Sequence, residues 1–290
     1  MPRALAAGIE DLTPFFADRC WMFVYLARQA HVGVILRRGP TEWWRVTLWD
    51  TRSDSFESGQ WFRGRLYPEK CDLSPDGKLF VYFGGKFNRR SEAGGYKDTW
   101  TAVSRPPYLT ALALWPIGGT WGGSGIFLDN NAVLLGSSDP DWPKHHPNHP
   151  PGPLQVLTHG DLSKDDARHN AVPGWLSGWN KAEKYQDSMG RDLVGKRSGD
   201  LVLARYAPLH LSPSRQPTLY SIYTADGRAA ALFEAHWADW DQQGRLVATA
   251  GGRVLAGELS QENKLRWGQL ASMHNDRPAP IVAPAWARSW

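Results

Sequence analysis

Short apolar runs, separated by polar connectors that contain glycine, dominate the chain. In the run over residues 43–49, Trp44, Val46 and Leu48 fall on one side of an extended chain, and Arg45 and Thr47 fall on the other. This alternation with a period of two predicts a β-strand with one buried face. Similar runs lie at residues 21–28, 32–37 and 60–66. The first part of the chain therefore predicts consecutive antiparallel strands.

A strand–turn–strand pattern over residues 71–85 recurs without a gap over residues 238–252. Asp72 aligns with Asp239, and Gly77 aligns with Gly244. In the first copy a Pro-Asp-Gly turn separates two runs, and the second run is apolar throughout, as in a strand that is buried on both faces. A repeated supersecondary unit indicates a fold that is assembled from similar parts.

The strand-like runs fall into five groups, at residues 21–66, 67–116, 117–192, 193–235 and 236–270. Units of about 40–60 residues with about four strands each are typical of propeller blades. We predict an all-β protein, a β-propeller of about five four-stranded blades, as a single domain over residues 1–270. Residues 137–192 are predicted to form a loop-rich insertion, and residues 271–290 an extended tail that packs on the surface. The last blade needs a fourth strand, from residues 20–30 or from the segment near 265–267.

Two turn segments carry a resemblance to a known family. The sequence Leu-Ser-Pro-Asp-Gly-Lys-Leu over residues 73–79 resembles the blade signature of WD40-like propellers of the TolB type. In such blades a Ser-Pro-Asp-Gly turn joins the first two strands. The sequence Tyr-Thr-Ala-Asp-Gly-Arg over residues 223–228 is similar to the later hairpin of such a blade. The resemblance implies a propeller fold and no particular activity.

Composition narrows the class of protein. The formal net charge is +4 over 290 residues, which favours an ordinary solvated surface over a nucleic-acid-binding one. The two cysteines, Cys20 and Cys71, are far apart in sequence and form no CxxC metal motif. The longest apolar run near the start, residues 21–27, suits a buried strand and is too short for a membrane span. We expect a cytoplasmic protein of bacterial type with no membrane contact and no cofactor.

Histidines mark one candidate metal site. His145, His146 and His149 lie within a proline-rich segment, and imidazole is a good ligand for Zn²⁺, Ni²⁺ or Cu²⁺. Their spacing is not that of a rigid site, so the absence of functional metal binding is the favoured alternative.

Carboxylates offer a second candidate site. Four aspartates begin or flank predicted inner strands and so have the placement of side chains that line a central channel: Asp72, Asp129, Asp200 and Asp239. Converging carboxylates are what glycoside hydrolysis requires. Aspartates at such positions also serve as turn and strand-to-strand hydrogen-bond partners, and this structural role is favoured. No catalytic residue is predicted, because the sequence contains neither a Gly-x-Ser-x-Gly motif nor a phosphate-binding loop.

The chain is rich in tryptophan, with 16 residues. The preferred hypothesis about function rests on these tryptophans. Several lie in or beside predicted loops, and aromatic side chains dominate protein-binding hot spots. The predicted partner-binding residues are Trp121, Trp142, Trp175 and Trp179. The preferred function is a non-catalytic scaffold that binds a protein partner in a hetero-complex. The alternatives are a hydrolase or carbohydrate-binding propeller that uses the channel carboxylates, and a nucleic-acid-binding accessory subunit.

Overall fold

The structure is a computed structural model that describes residues 9–87, 95–136, 144–158, 161, 183–186, 190, 192–206 and 217–290. The chain divides into two compact units. The larger unit consists of Val24–Leu176 and Pro278–Trp290, and the smaller unit consists of Met1–Phe23 and Ser177–Arg277. A single propeller domain over residues 1–270 stays a prediction.

Three sheets belong to the larger unit, except that the start of the first strand, up to Phe23, falls in the smaller unit. The first has the order β1 (Trp21–Leu26), β2 (Val32–Arg38), β3 (Trp43–Asp50) and β4 (Ser55–Arg63). The second has the order β5 (Arg65–Leu66), β7 (Phe80–Gly85), β8 (Thr99–Ser104) and β9 (Ala113–Pro116), with β6 (Asp72–Leu73) also paired to β7. The third has the order β10 (Gly125–Phe127), β11 (Ala132–Leu135) and β12 (Gln155–Thr158).

Two sheets belong to the smaller unit. One has the order β13 (Glu183–Gln186), β14 (Asp192–Ser198), β15 (Leu201–Tyr206), β16 (Thr218–Thr224) and β17 (Ala229–Ala235). The other has the order β18 (Trp237–Trp240), β19 (Leu246–Ala250), β20 (Arg253–Leu259) and β21 (Leu265–Ser272). The last sheet takes its fourth strand from the segment around residues 265–267, which is one of the two sources that the sequence indicated. Ile9 forms an isolated antiparallel bridge with Trp267 beside it.

The all-β class is confirmed, and so is the organisation into consecutive, mainly antiparallel sheets. The helices whose full bounds are described are short 3-10 turns at Thr13–Ala17, Pro68–Lys70 and Ala285–Ala287. None of the described helices is long and apolar enough to cross a lipid bilayer. Arrangement of the sheets into a closed ring of blades stays a prediction.

The third group differs from the four-stranded expectation. Its sheet has three strands in the described residues, and β11 and β12 pair in parallel. The segment predicted as a loop-rich insertion also contains β12 and β13, and β14 begins at its end. The sequence missed β14 because its two buried inward positions are Leu193 and Gly195, and a glycine weakens the apolar alternation.

The repeated unit folds alike in both copies. Gly77 has φ +77° and Gly244 has φ +75°, and each N–H donates to the carbonyl three residues earlier, that of Ser74 and that of Asp241, at 2.9 Å in both cases. A positive φ is accessible to glycine at little cost, which explains the residue that both turns share. The Asp226–Gly227 hairpin between β16 and β17 follows the same principle, with φ +82° at Gly227.

Packing in the larger unit joins its second and third sheets. Val81 and Trp115 of the second sheet and Phe127 and Leu135 of the third belong to one buried cluster. The C-terminal residues also lie on the larger unit, where Gln60 Nε2 donates to the carbonyl of Ile281 at 3.1 Å.

We predict that Gly77→Ala destabilises the fold more than its repeat equivalent, Gly244→Ala. Both variants place a side chain at a positive φ, which costs about 1–2 kcal/mol. A Cβ on Gly77 also lies 2.8 Å from Val32, whereas the nearest atom to a Cβ on Gly244 is the rotatable Ser198 hydroxyl oxygen at 2.9 Å. The extra cost at Gly77 is about 1–3 kcal/mol of overpacking. Urea unfolding of the two variants measures it, and equal losses would contradict the packing argument.

Candidate partner-binding site

The glycine-rich loop that precedes β10 presents Trp121 to solvent. We call residues 118–123 the Trp121 loop. The Trp121 side chain is 98% exposed, the largest value among the exposed large hydrophobic residues of the described chain. Gly118 has φ +85° and Gly123 has φ +81°, so a glycine with left-handed backbone stands at each end of the loop. These two residues let the chain turn tightly on either side of the indole.

The Lys70 side chain is hydrogen-bonded to the backbone of the Trp121 loop. Its ammonium group donates to the carbonyl oxygens of Thr120 at 2.9 Å, Trp121 at 3.2 Å and Gly122 at 3.3 Å. An ammonium has three donors, so these bonds account for all of them. The same nitrogen lies 4.8 Å from the centroid of the Phe83 ring. Burial lowers the pKa of Lys70.

Further bonds fasten both ends of the loop. Thr99 Oγ1 donates to the carbonyl of Gly119 at 2.6 Å, and the Gly123 N–H donates to the carbonyl of Gly136 at 3.0 Å. A Cβ on Gly123 would lie 2.3 Å from the Phe83 ring, so the backbone there packs directly on an aromatic side chain. The loop is therefore ordered by the fold itself, while its indole stays outside the core.

A second exposed aromatic side chain lies just after β7, the neighbour of the strand that is bonded to the loop. Phe87, just after β7, is 58% exposed, and its ring lies 3.3 Å from the position of a Cβ on Gly85. Gly85 pairs with Thr99, which is bonded to the Trp121 loop. Neither Phe87 nor Lys70 was predicted from the sequence. Phe87 sits at the end of an apolar strand without any motif, and Lys70 reaches a segment that lies 50 residues further along the chain.

The other predicted tryptophans, Trp142, Trp175 and Trp179, lie outside the described residues. Of the four predicted partner-binding residues, the structure therefore places Trp121.

The three candidate histidines lie in a segment that covers the edge of β9. The His146 N–H donates to the carbonyl of Leu114 at 2.7 Å, and the Leu114 N–H donates to the carbonyl of His149 at 3.1 Å. The His146 ring is buried and stacks on Tyr96 at 4.0 Å between centroids, whereas His145 is exposed.

Both ring nitrogens of His149 lie close to polar groups of the protein. Its Nε2 lies 3.1 Å from the Tyr96 hydroxyl, and its Nδ1 lies 3.1 Å from the carbonyl of Ala111. Burial, and then the neighbouring His146, lower the pKa of His149. Within the described part of the chain, no three His, Cys, Asp or Glu side chains are grouped so that they hold a metal ion. A metal role for these histidines stays a prediction.

The four candidate carboxylates occupy turns and contacts between sheets. Asp72 is 1% exposed, and its Oδ2 accepts the Phe127 N–H at 2.8 Å. Asp239 is 7% exposed, and its Oδ2 lies 2.6 Å from Lys196 Nζ. Asp129 caps a turn by accepting the backbone N–H groups of the residues two and three positions later, at 2.7 and 2.8 Å. Asp200 is exposed in the turn between β14 and β15.

Comparisons with known proteins give only distant likenesses. No family model matches the chain, and no curated protein matches it. An uncharacterized protein of Listeria monocytogenes is 8% identical with a TM-score of 0.34, over 95% of this chain and 88% of that one. An acylaminoacyl peptidase of Pyrococcus horikoshii is 12% identical with a TM-score of 0.24, over 89% of this chain and 40% of that one. Scores this low carry no argument about fold or function.

We predict that Lys70→Met loosens the Trp121 loop. The substitution keeps most of the side-chain volume but removes three donors, so the carbonyl groups of residues 120–122 lose their partner. Loss of such bonds to a charged group costs about 1.5–3 kcal/mol. Amide hydrogen exchange of a peptide that covers residues 117–125 should become at least about tenfold faster.

Lys78→Met is the matched control for this experiment. The Lys78 side chain is 75% exposed and pairs with Asp76 at the turn of the first repeat copy. Exchange over residues 117–125 should be unchanged in this variant. Equal exchange in the wild type and in Lys70→Met would show that the lysine does not order the loop.

Proposed function

We propose that this protein is a non-catalytic scaffold that binds another protein through the Trp121 loop, as a subunit of a hetero-complex. The observation that carries this proposal is a 98% exposed indole on a loop whose backbone is fastened by the fold. Tryptophan is the side chain most enriched among binding hot spots, where it fills a pocket of the partner.

The order of the loop supports a binding role. Fixing a loop during association normally reduces affinity, because its conformational freedom is lost at that step. Here the bonds from Lys70 and Thr99 fix the backbone before any partner arrives. A rigid apolar side chain that is already presented to solvent retains more of its contact energy on binding.

The alternative of a channel hydrolase has less support. Asp72 and Asp239 are buried and hydrogen-bonded, and Asp129 is engaged in its own turn. These bonds are the ones that structural aspartates make, whereas an acid–base pair needs carboxyl groups directed toward a substrate. Burial raises the pKa of the Cys71 thiol, which disfavours the thiolate form that acts as a nucleophile.

The propeller itself is part of the proposal. Five consecutive sheets, each formed largely by neighbouring strands of the chain, support an assembly of five blades in one ring. A ring of blades gives a rigid disc with loops on two faces, which suits a scaffold. Cytoplasmic placement is also proposed, since Cys20 and Cys71 are buried and both are in the reduced form.

The test is a quantitative capture of partners from the native host with the tagged full chain. We expect one stoichiometric partner, whose purified form binds the wild type and binds Trp121→Ala at least about 30-fold more weakly, the size of a hot-spot loss of about 2 kcal/mol. Isothermal titration calorimetry measures the affinities. Because Trp121 is almost fully exposed, the unfolding midpoint of Trp121→Ala should equal that of the wild type.

Trp286→Ala is the matched control, since it removes another exposed tryptophan, 57% exposed on the C-terminal segment. It should bind the partner within about twofold of the wild type. The proposal would be overturned if no stoichiometric partner were found. It would also be overturned if the partner bound Trp121→Ala as tightly as the wild type.

A further inference from the structure

Basic residues lie at the same end of the second sheet as the two exposed aromatic residues of the site. The Lys97 side chain lies 2.9 Å from the position of a Cβ on Gly118, the first residue of the Trp121 loop. The Lys86 N–H donates to the carbonyl of Asp98 at 2.9 Å, which places Lys86 at the same end of the sheet. Arg65 pairs with Gly85 in the register of β5 and β7. We call Arg65, Lys86, Phe87, Lys97 and Trp121 the basic aromatic surface.

The three cations of this surface are exposed. Burial raises the pKa of the nearby Glu69 carboxyl, and the charge of Arg65 opposes that rise. Two of the three cations lie over aromatic rings. Arg65 lies 5.4 Å from the centroid of Tyr67, and Lys86 lies 5.2 Å from the centroid of Phe62. Contact with a ring fixes the position of a cation without neutralising its charge. The surface therefore joins an apolar centre to a positively charged rim.

We propose that the basic aromatic surface binds an acidic segment of a protein, with apolar side chains of that segment on Trp121 and Phe87 and its carboxylates on Arg65, Lys86 and Lys97. This inference rests on the proposed function and adds the chemistry of the partner. Charge complementarity carries it, since a positive rim attracts an acidic partner and disfavours a basic one.

A protein segment suits this surface better than a nucleic acid. Binding of a single strand relies on a groove of many cations that follows the phosphates and on several aromatic rings that stack successive bases. Among the described residues, three exposed cations and two exposed rings lie at this end of the second sheet, on a chain whose formal net charge is only +4. One apolar anchor with a charged rim is the pattern of a protein interface.

The experiment uses three fluorescent probes with the full chain: a peptide that alternates Glu with Leu and Phe, the same peptide with Lys in place of Glu, and an oligothymidine of equal net charge. Fluorescence anisotropy gives the affinity at two salt concentrations. We expect the acidic peptide to bind and to weaken at higher salt, and the lysine peptide to show no binding at the same concentrations.

Variants separate the charged rim from the apolar anchor. The double variant Lys86→Glu/Lys97→Glu should weaken the acidic peptide at least about tenfold, as reversal of two rim charges predicts. Trp121→Ala should weaken it as well. Lys264→Glu is the control, because Lys264 is exposed in the turn between β20 and β21 and belongs to the smaller unit. It should bind the acidic peptide within about twofold of the wild type.

Each remaining outcome overturns the inference. Equal binding of the acidic and lysine peptides would show that charge does not select the partner, and so would an unchanged affinity in the double variant. Tighter binding of the oligothymidine would identify a nucleic-acid surface, and binding of no peptide would remove the acidic-segment proposal. A host partner that is lost with Trp121→Ala but kept by the double variant would leave the proposed function standing and reject this inference alone.

Discussion

A buried carboxylate in the repeated strand–turn–strand unit joins each copy to a neighbouring sheet. In the larger unit Asp72 of β6 accepts the N–H of Phe127 on β10, so the bond connects the second sheet to the third. At the equivalent position in the smaller unit, Asp239 of β18 binds the ammonium of Lys196 on β14, in the preceding sheet. A carboxylate without such a partner is costly to bury, so each bond constrains where the adjoining sheet can lie. The repeat therefore specifies contacts between sheets as well as a turn.

That constraint extends to the candidate site. Phe127 ends β10, and Gly125 begins it, where a Cβ would lie 2.2 Å from the Val81 side chain. The aspartate bond at one end of β10 and the close backbone approach at the other fix this short strand against the second sheet. The Trp121 loop leads directly into β10, so the same two contacts fix its exit, while Lys70 fixes its middle. A structural aspartate thus helps to position the exposed indole, which is a more economical explanation of Asp72 than chemistry in a channel.

Local patterns predicted most of the strands, because the alternation of apolar and polar residues and the residue types of turns depend on residues that are close in sequence. The five groups of runs, the shared glycine of the repeat and the Asp226–Gly227 hairpin all belong to this class. Features that depend on distant residues were not predictable. The parallel pairing of β11 with β12 depends on the path of the intervening chain, and the Lys70 contact joins residues 50 positions apart. Trp121 was found because its glycine neighbours are a local signal, whereas nothing near Lys70 marks it as the residue that orders that loop.

The tryptophans that the structure describes show two physical roles. Trp49, Trp115 and Trp267 are fully buried and stabilise the fold through the apolar area that they remove from water. The indole N–H of Trp240 finds an acceptor inside the protein, the carbonyl of Lys196 at 2.8 Å. Trp121 removes almost none of its area from water, and yet the fold directs three hydrogen bonds from a half-buried lysine to the backbone that carries it. The ordered loop does not bury the Trp121 indole within this chain. The order is explained if the indole is buried by another molecule, because a side chain held in place beforehand loses less freedom when it is bound.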